Sequence, residues 1–140
     1  MIIPDVNVIV GALQPDAEAH DRYRGWLTSA LASQEPVGLN ELALSGAVRI
    51  LTHPGIFRRP LSAGDVLDTL EDLRPHTVAV RPGRRHWGIF TRLCRELNAT
   101  GNLVPDAYHA ALAIEHDAAL ATSDKDFRRM PGLRVIDPLS

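Results

Sequence analysis

Along this chain short apolar runs alternate with segments in which apolar side chains recur every three or four positions. That is the pattern of strands alternating with amphipathic helices. Met1-Ile2-Ile3-Pro4-Asp5 is an apolar run ending in an acid, as in a buried strand whose last residue emerges at the carboxyl edge of a sheet. Asn7-Val8-Ile9-Val10 then leads into Gly11. Over 18–33, Tyr23, Trp26, Leu27, Ala30 and Leu31 recur at helical spacing among arginines and acids, and Pro36 stops that helix. Val37-Gly38-Leu39 reads as a short strand, and Asn40 caps a helix over Glu41–Leu51, which Thr52-His53-Pro54-Gly55 breaks.

Ser62, with Asp65 three residues on, reads as a variant capping box that opens a helix to about Leu73, and Pro75 ends it. Residues 77–80 form the next strand. The stretch 84–97 sets Trp87, Phe90, Leu93, Cys94 and Leu97 on one helical face, and 99–102 closes it with loop chemistry. Pro105 suits the start of a helix, so 105–116 is predicted helical. Strands at 118–122 and Arg134–Ile136 flank a turn or short helix at 126–130. This order predicts an α/β domain with a mainly parallel sheet covered by helices on both faces.

Composition narrows the class. At 140 residues, 45% hydrophobic and 23% charged, the chain suits a single globular domain over 1–140 rather than a disordered one. The one cysteine, Cys94, excludes an internal disulfide and any cysteine-cluster zinc site. No apolar run suits a membrane span, and the N-terminus lacks a basic-then-apolar leader, so a cytoplasmic protein without membrane attachment is expected. A net charge of -2 excludes a strongly basic nucleic-acid binder by total charge, though not by distribution.

In parallel sheets, ligands gather beyond the carboxyl ends of the strands. Asp5 follows the first strand, Glu41 the second, and Asp124 and Asp126 the strand at 118–122, while Asp106 stands at a helix start behind Pro105. Singly, each is an ordinary turn former, helix-dipole partner or solvated loop acid. Together on one rim they would repel one another unless a cation lay between them. Carboxylates without a cysteine set or His-x-x-x-His favour Mg2+ or Mn2+, the ions of phosphodiester hydrolysis. Setting those five aside leaves 12 acids against 15 bases, so the rest of the protein suits an anionic substrate.

The ordered set resembles the PIN-domain ribonucleases, and specifically the VapC toxins of bacterial VapBC toxin-antitoxin pairs. The resemblance covers nearly the whole chain. It rests on Asp5-Val6-Asn7, on Glu41, on Pro105-Asp106-Ala107 and above all on Thr122-Ser123-Asp124-Lys125-Asp126-Phe127, with Thr52-His53-Pro54, Phe57 and Pro60 resembling an actinobacterial subgroup. It implies a three-layer α/β/α fold and a Mg2+- or Mn2+-dependent endoribonuclease cutting structured RNA (tRNA or rRNA) with metal-activated water. Asp5, Glu41, Asp106 and Asp124 match the family's catalytic metal ligands, Asp126 matches a frequent fifth, and Asn7 and Thr122 match polar residues that brace them by hydrogen bonds. It also implies a VapB-type antitoxin, and because clustered carboxylates attract a cation that antitoxin is expected to bring an arginine or lysine to Asp5, Glu41 or Asp106, with apolar side chains packed near Leu44, Val48 and Leu51. A homodimer is expected.

Arg58-Arg59 and Arg81 with Arg84-Arg85 are two candidate RNA-binding clusters, a phosphate track leading into the acidic pocket, with solvated surface as the ordinary alternative. His53 and His86 are read as structural rather than RNA-positioning. Trp26, Trp87 and Phe90 are read as core or dimer contacts, and Tyr108 and His109 as possible neighbours of the acids. Two other functions remain open. A haloacid-dehalogenase-type phosphatase would want an acid two positions after Asp5, where Asn7 stands. A receiver-type signalling domain would want paired acids after the first strand, which supplies one.

Overall fold

The first strand and the penultimate one lie side by side, although almost the whole chain separates them. In the computed structural model, which describes all 140 residues, β1 (Ile2–Pro4) pairs in parallel with β4 (Ala119–Ala121), and β4 pairs in parallel with β5 (Arg134–Ile136). A second parallel pair, β2 (Gly38–Leu39) with β3 (Val78–Ala79), joins them through one parallel bridge from Ile2 to Val37. The running order is therefore β3-β2-β1-β4-β5. All these strands deliver their carboxyl ends to one edge, and every crossover is helical.

The helices are α1 (Val6–Leu13), α2 (His20–Ala32), α3 (Glu41–Leu51), α4 (Ala63–Leu73), α5 (His86–Glu96) and α6 (Leu103–Glu115). Two apolar clusters hold them on the sheet. One gathers Ile3, Val80, Leu93, Leu112, Leu120 and Phe127 under α5 and α6. The other gathers Ile9, Val10, Leu39, Leu44, Leu51, Val66 and Leu70 under α1, α3 and α4. The three-layer α/β/α reading holds.

Helix α3 spans the residues expected from the sequence, with the side chain of Asn40 accepting from the backbone N–H of Ala43 at 2.8 Å. Ser62 likewise accepts from the N–H of Asp65 at 3.1 Å to start α4. Other boundaries differ for physical reasons. The second helix starts at His20 because the chain reverses through Ala19 at φ 58°, and the Nδ1–H of His20 donates to the carbonyl of Gly11 at 2.8 Å. The fifth starts at His86 because the N–H groups of Gly83 and Arg85 donate to the carboxylate of Glu115 (2.7 and 2.9 Å), tying the preceding loop to the end of α6. The sixth begins two residues before Pro105, whose missing N–H lies in the unpaired first turn.

The largest departure is α1, which the sequence pattern left unassigned. Val8, Ile9, Val10, Gly11 and Ala12 are all buried. Five consecutive buried residues cover all sides of the helix past its first turn, where only Asn7 is exposed, so no polar stripe marks a helical period. Gly11 is required where α1 meets α2, since a methyl group there would run into the ring of Tyr23. The helix is capped by Asp5, whose Oδ1 accepts from the N–H of Val6 at 2.7 Å. A cap and a candidate metal ligand are thus the same carboxylate.

Candidate metal centre

Beyond the carboxyl ends of β1 and β4 lies a hollow of about 530 Å³ lined by Asp5, Asn7, Asp106, Asp124 and His109, with Leu42, Ser45, Gly46, Arg49 and Ile50 from α3. Asp5 reaches it because the N–H of Asp5 continues the sheet, donating to the carbonyl of Ala121 at 2.9 Å. Asp5 is 7% exposed, so each oxygen needs a partner: Oδ1 has the Val6 N–H, and Oδ2 accepts from the hydroxyl of Thr122 at 2.9 Å. The same Thr122 oxygen accepts from the N–H of Asp124 at 3.1 Å. Asp124 in turn caps the short 3-10 turn Lys125–Arg129, its Oδ1 accepting from the N–H of Asp126 at 2.9 Å.

From α6, Asp106 completes the group. One carboxylate oxygen each from Asp106, Asp124 and Asp126 lies within 4.8 Å of the others. The electrostatic consequence is direct. Burial, followed by the charges of Asp5, Asp124 and Asp126, pushes the Asp106 carboxyl up to about 6. Burial also raises Asp5, with the charge of Asp124 adding to it, against the lowering effect of its Thr122 and Val6 hydrogen bonds. These acids are held together at a cost that a cation would remove. Their donors are carboxylate oxygens, the set that a hard divalent ion takes.

The other sequence-nominated residues fall in different places. Glu41 opens α3 at the edge of β2, but its carboxylate is turned outward, with Oε2 3.9 Å from Arg74 and Oε1 3.8 Å from Arg81, in an adjoining hollow. The structure therefore does not bring its side chain into the cluster. Asn7 lines the acid hollow with an exposed side chain and no hydrogen bond to an acid. Of the arginines, Arg59 is committed to Asp16 (Nε to Oδ2, 2.9 Å) and Arg85 donates from Nη2 to the carbonyl of Glu115 at 2.6 Å. Arg58 and Arg84 are exposed without an ion-pair partner. Leu51 is wholly buried, so it offers nothing to a partner, whereas Val48 and the 47% exposed Leu67 line a groove between α3 and α4.

Two further residues border the acids: His109, on one of the two faces the sequence left open, and Arg49, which it did not name. His109, one turn after Asp106, faces the acid hollow, while Tyr108 turns away to stack edge-on against His86 (ring centroids 4.3 Å apart). Burial, then the neighbouring His86, lowers the His109 pKa. Arg49 also borders the hollow, and its signal was the i, i+4, i+8 spacing of Glu41, Ser45 and Arg49 along α3. His86 is 3% exposed with Nε2 3.0 Å from the carbonyl of Tyr108, a structural role, and Trp87 is 68% exposed rather than core.

The sequence and the fold each have counterparts among known proteins. The model of the PIN domain matches residues 2–133. The chain is 37% identical over 141 residues to ribonuclease VapC43 of Mycobacterium tuberculosis, covering 99% of this chain and 96% of that one. It is 34% identical over 140 residues to ribonuclease VapC25 of the same species, covering 99% of both. In three dimensions it resembles a chain of VapBC-1 from nontypeable Haemophilus influenzae (TM-score 0.73, 16% identity, all of both chains). It also resembles one of VapBC2 from Rickettsia felis, crystallised on a promoter DNA fragment (TM-score 0.72, 20% identity, 97% and 98% covered). The phosphatase and receiver alternatives find no counterpart among these likenesses. No helix is long and apolar enough to cross a membrane.

Proposed function

This chain belongs to the PIN-domain family, among the VapC ribonucleases, and on that premise we propose that it is a divalent-metal-dependent endoribonuclease, the toxin of a toxin-antitoxin pair. The observation that carries the reading is the convergence of Asp106 and Asp124 with the buried Asp5 in one open hollow, with a carboxylate oxygen of Asp126 within 4.8 Å of those of Asp106 and Asp124. Asp5, Asp106 and Asp124 would hold Mg2+ or Mn2+, with Asp126 beside them and Glu41 joining once released from its arginines. When bound, the ion supplies positive charge for a phosphodiester in transit and the Lewis acidity that makes water a nucleophile near neutral pH.

The chain's own residues prepare that chemistry. Thr122 fixes the orientation of Asp5 and of the Asp124 backbone together, so the carboxylates are set before any substrate arrives. Asp106 must give up the proton that its neighbours help it keep before it can serve as a ligand. Arg49 on the rim and the unpaired Arg58 and Arg84 supply positive charge for phosphates approaching an otherwise acidic pocket. Val48 and Leu67 line the groove that suits an apolar antitoxin segment. We further propose that residues 1–140 form one domain, that a tRNA or rRNA is the substrate and that the protein assembles as a homodimer.

The test is induction of the chain in cells lacking its antitoxin, followed by sequencing of newly formed RNA 5′ ends, beside Asp106→Asn. The reading expects discrete cleavage sites in a structured RNA with the wild type alone. Identical end profiles for the two proteins would remove it.

A further inference from the structure

Glu41 lies between two arginines that arrive from different directions, and the sheet explains why. Strands β2 and β3 run parallel with Leu39 opposite Ala79, and the N–H of Val80 donates to the carbonyl of Leu39 at 2.9 Å. Glu41 and Arg81, each two residues past that pair, leave the sheet together. Arg74 comes from the end of α4, where the chain enters the turn Arg74–His76. The two carboxylate oxygens face different guanidinium groups, at 3.9 and 3.8 Å, beyond hydrogen-bond range. Glu41 is 66% exposed, and solvent-exposed ion pairs of this kind are weak. It occupies the space between the arginines without being fastened there.

That space is a hollow of about 300 Å³. A neighbouring hollow shares Glu41 and Arg81 with it and also contains Leu42 and Tyr108, and Leu42 in turn lines the acid hollow. The acid hollow and the arginine hollow are thus near neighbours on one edge of the sheet, separated by the Leu42 stretch at the start of α3. Arg74 has a second acid, Glu71, at 3.8 Å, whereas Glu41 is the sole acid paired with Arg81, itself 70% exposed. Moving Glu41 away leaves a net positive site with planar donor groups, the chemistry that recognises phosphate.

We propose that Arg74 and Arg81 form a binding subsite for an RNA backbone phosphate next to the one being cut, occupied by Glu41 until a cation in the carboxylate cluster draws Glu41 away. The device couples cation and RNA: each clears the way for the other, and by linkage the coupling is reciprocal. It rests on the reading of the hollow as a cation site for RNA cleavage. It also accounts for the position of Glu41 outside the cluster, as the counter-charge of a site awaiting its ligand.

The experiment measures binding, not turnover. Anisotropy of a short fluorescein-labelled oligoribonucleotide is followed against salt in EDTA and in Ca2+, with a gel showing that the RNA stays intact, and Mn2+ binding is measured by calorimetry without RNA. For wild type, the salt dependence should steepen on adding Ca2+. In the double variant Arg74→Ala, Arg81→Ala the Ca2+ slope should be shallower by about 1.4, two contacts' worth, and affinity about five- to tenfold lower. Mn2+ binding should be unchanged or tighter. Glu41→Gln should tighten RNA binding already in EDTA, and adding Arg74→Ala and Arg81→Ala to it should abolish that gain.

Equal slopes in wild type and the double variant, with no gain from Glu41→Gln, would overturn the subsite while leaving a Mn2+-binding hollow intact. Failure of wild type to bind Mn2+ would instead refute the cation reading and the coupling with it. The Glu41→Gln comparison in EDTA would then decide the arginine site alone.

Discussion

The hydroxyl of Thr122 donates to Oδ2 of Asp5 at 2.9 Å, joining residues 117 positions apart at the point where β1 and β4 end side by side. The same oxygen receives the N–H of Asp124, so one side chain fixes two of the four acids. Thr122→Val keeps the shape and leaves both groups without a partner. The expected loss is about 1–3 kcal/mol of stability and about 10–100-fold in divalent-cation affinity, with Thr122→Ser retaining most of both. Denaturant unfolding and Mn2+ calorimetry provide the readouts, and wild-type cation affinity in Thr122→Val would show that the brace does not matter.

The acid cluster makes the metal-free protein sensitive to pH in a defined sense. Asp106 holds its proton up to about 6 in the folded state against 3.8 ordinarily, so its contribution favours folding at acidic pH and is lost as pH rises through about 6. Raised Asp5 acts in the same direction. In EDTA, Asp106→Asn should match wild type in melting temperature below pH 4 and exceed it above pH 6. Saturating Mg2+ should reverse the order near neutral pH, because only wild type has the ligand. A difference that does not vary with pH would contradict the proposed repulsion.

The two arginine clusters separate by their partners. Arg59 and Arg85 are engaged with Asp16 and with the end of α6, whereas Arg58 and Arg84 have no ion-pair partner. Replacing Arg58 or Arg84 by alanine should each make the salt dependence of RNA binding shallower by about 0.7, and replacing Arg59 or Arg85 should leave it unchanged. The reverse ranking would assign the backbone contacts to the other members.

An antitoxin that closes the hollow should present a basic side chain to the carboxylates, since a guanidinium can pair with two of them and displace the cation. Inhibition of RNA cleavage by the antitoxin is then expected to weaken as Mg2+ rises, and that dependence should vanish when its basic residue is changed to alanine. Equal inhibition by both forms at every Mg2+ concentration would place the block at RNA access instead.

How much of this was legible in the sequence depended on the range of the interaction involved. Local signals located α3 to the residue, because Asn40, the helical period and the Thr52-His53-Pro54-Gly55 break all lie within one segment. The acids at the sheet edge were legible because strand order alone brings Asp5 and Asp124 together. Helix α1 was not, since the burial of Val8–Ala12 removes the polar stripe that would reveal its period, and its cap Asp5 also reads as a site acid. The pairing of Arg85 with the end of α6, of Arg59 with Asp16 and of Glu41 with Arg74 and Arg81 depends on contacts across the fold that no spacing records. For His109, helical geometry left two faces open, and packing of Tyr108 on His86 chose between them.

Whether the carboxylates of the hollow hold the cation on which RNA cleavage depends is read out by titrating Mg2+ into EDTA-stripped wild type and Asp106→Asn while following cleavage of a structured RNA. No cleavage is expected in EDTA, with saturable restoration by Mg2+ in wild type and a rate at least about a hundredfold lower in the variant at the same Mg2+. Cleavage by wild type in EDTA, or an Asp106→Asn curve that overlays that of wild type, would contradict that assignment.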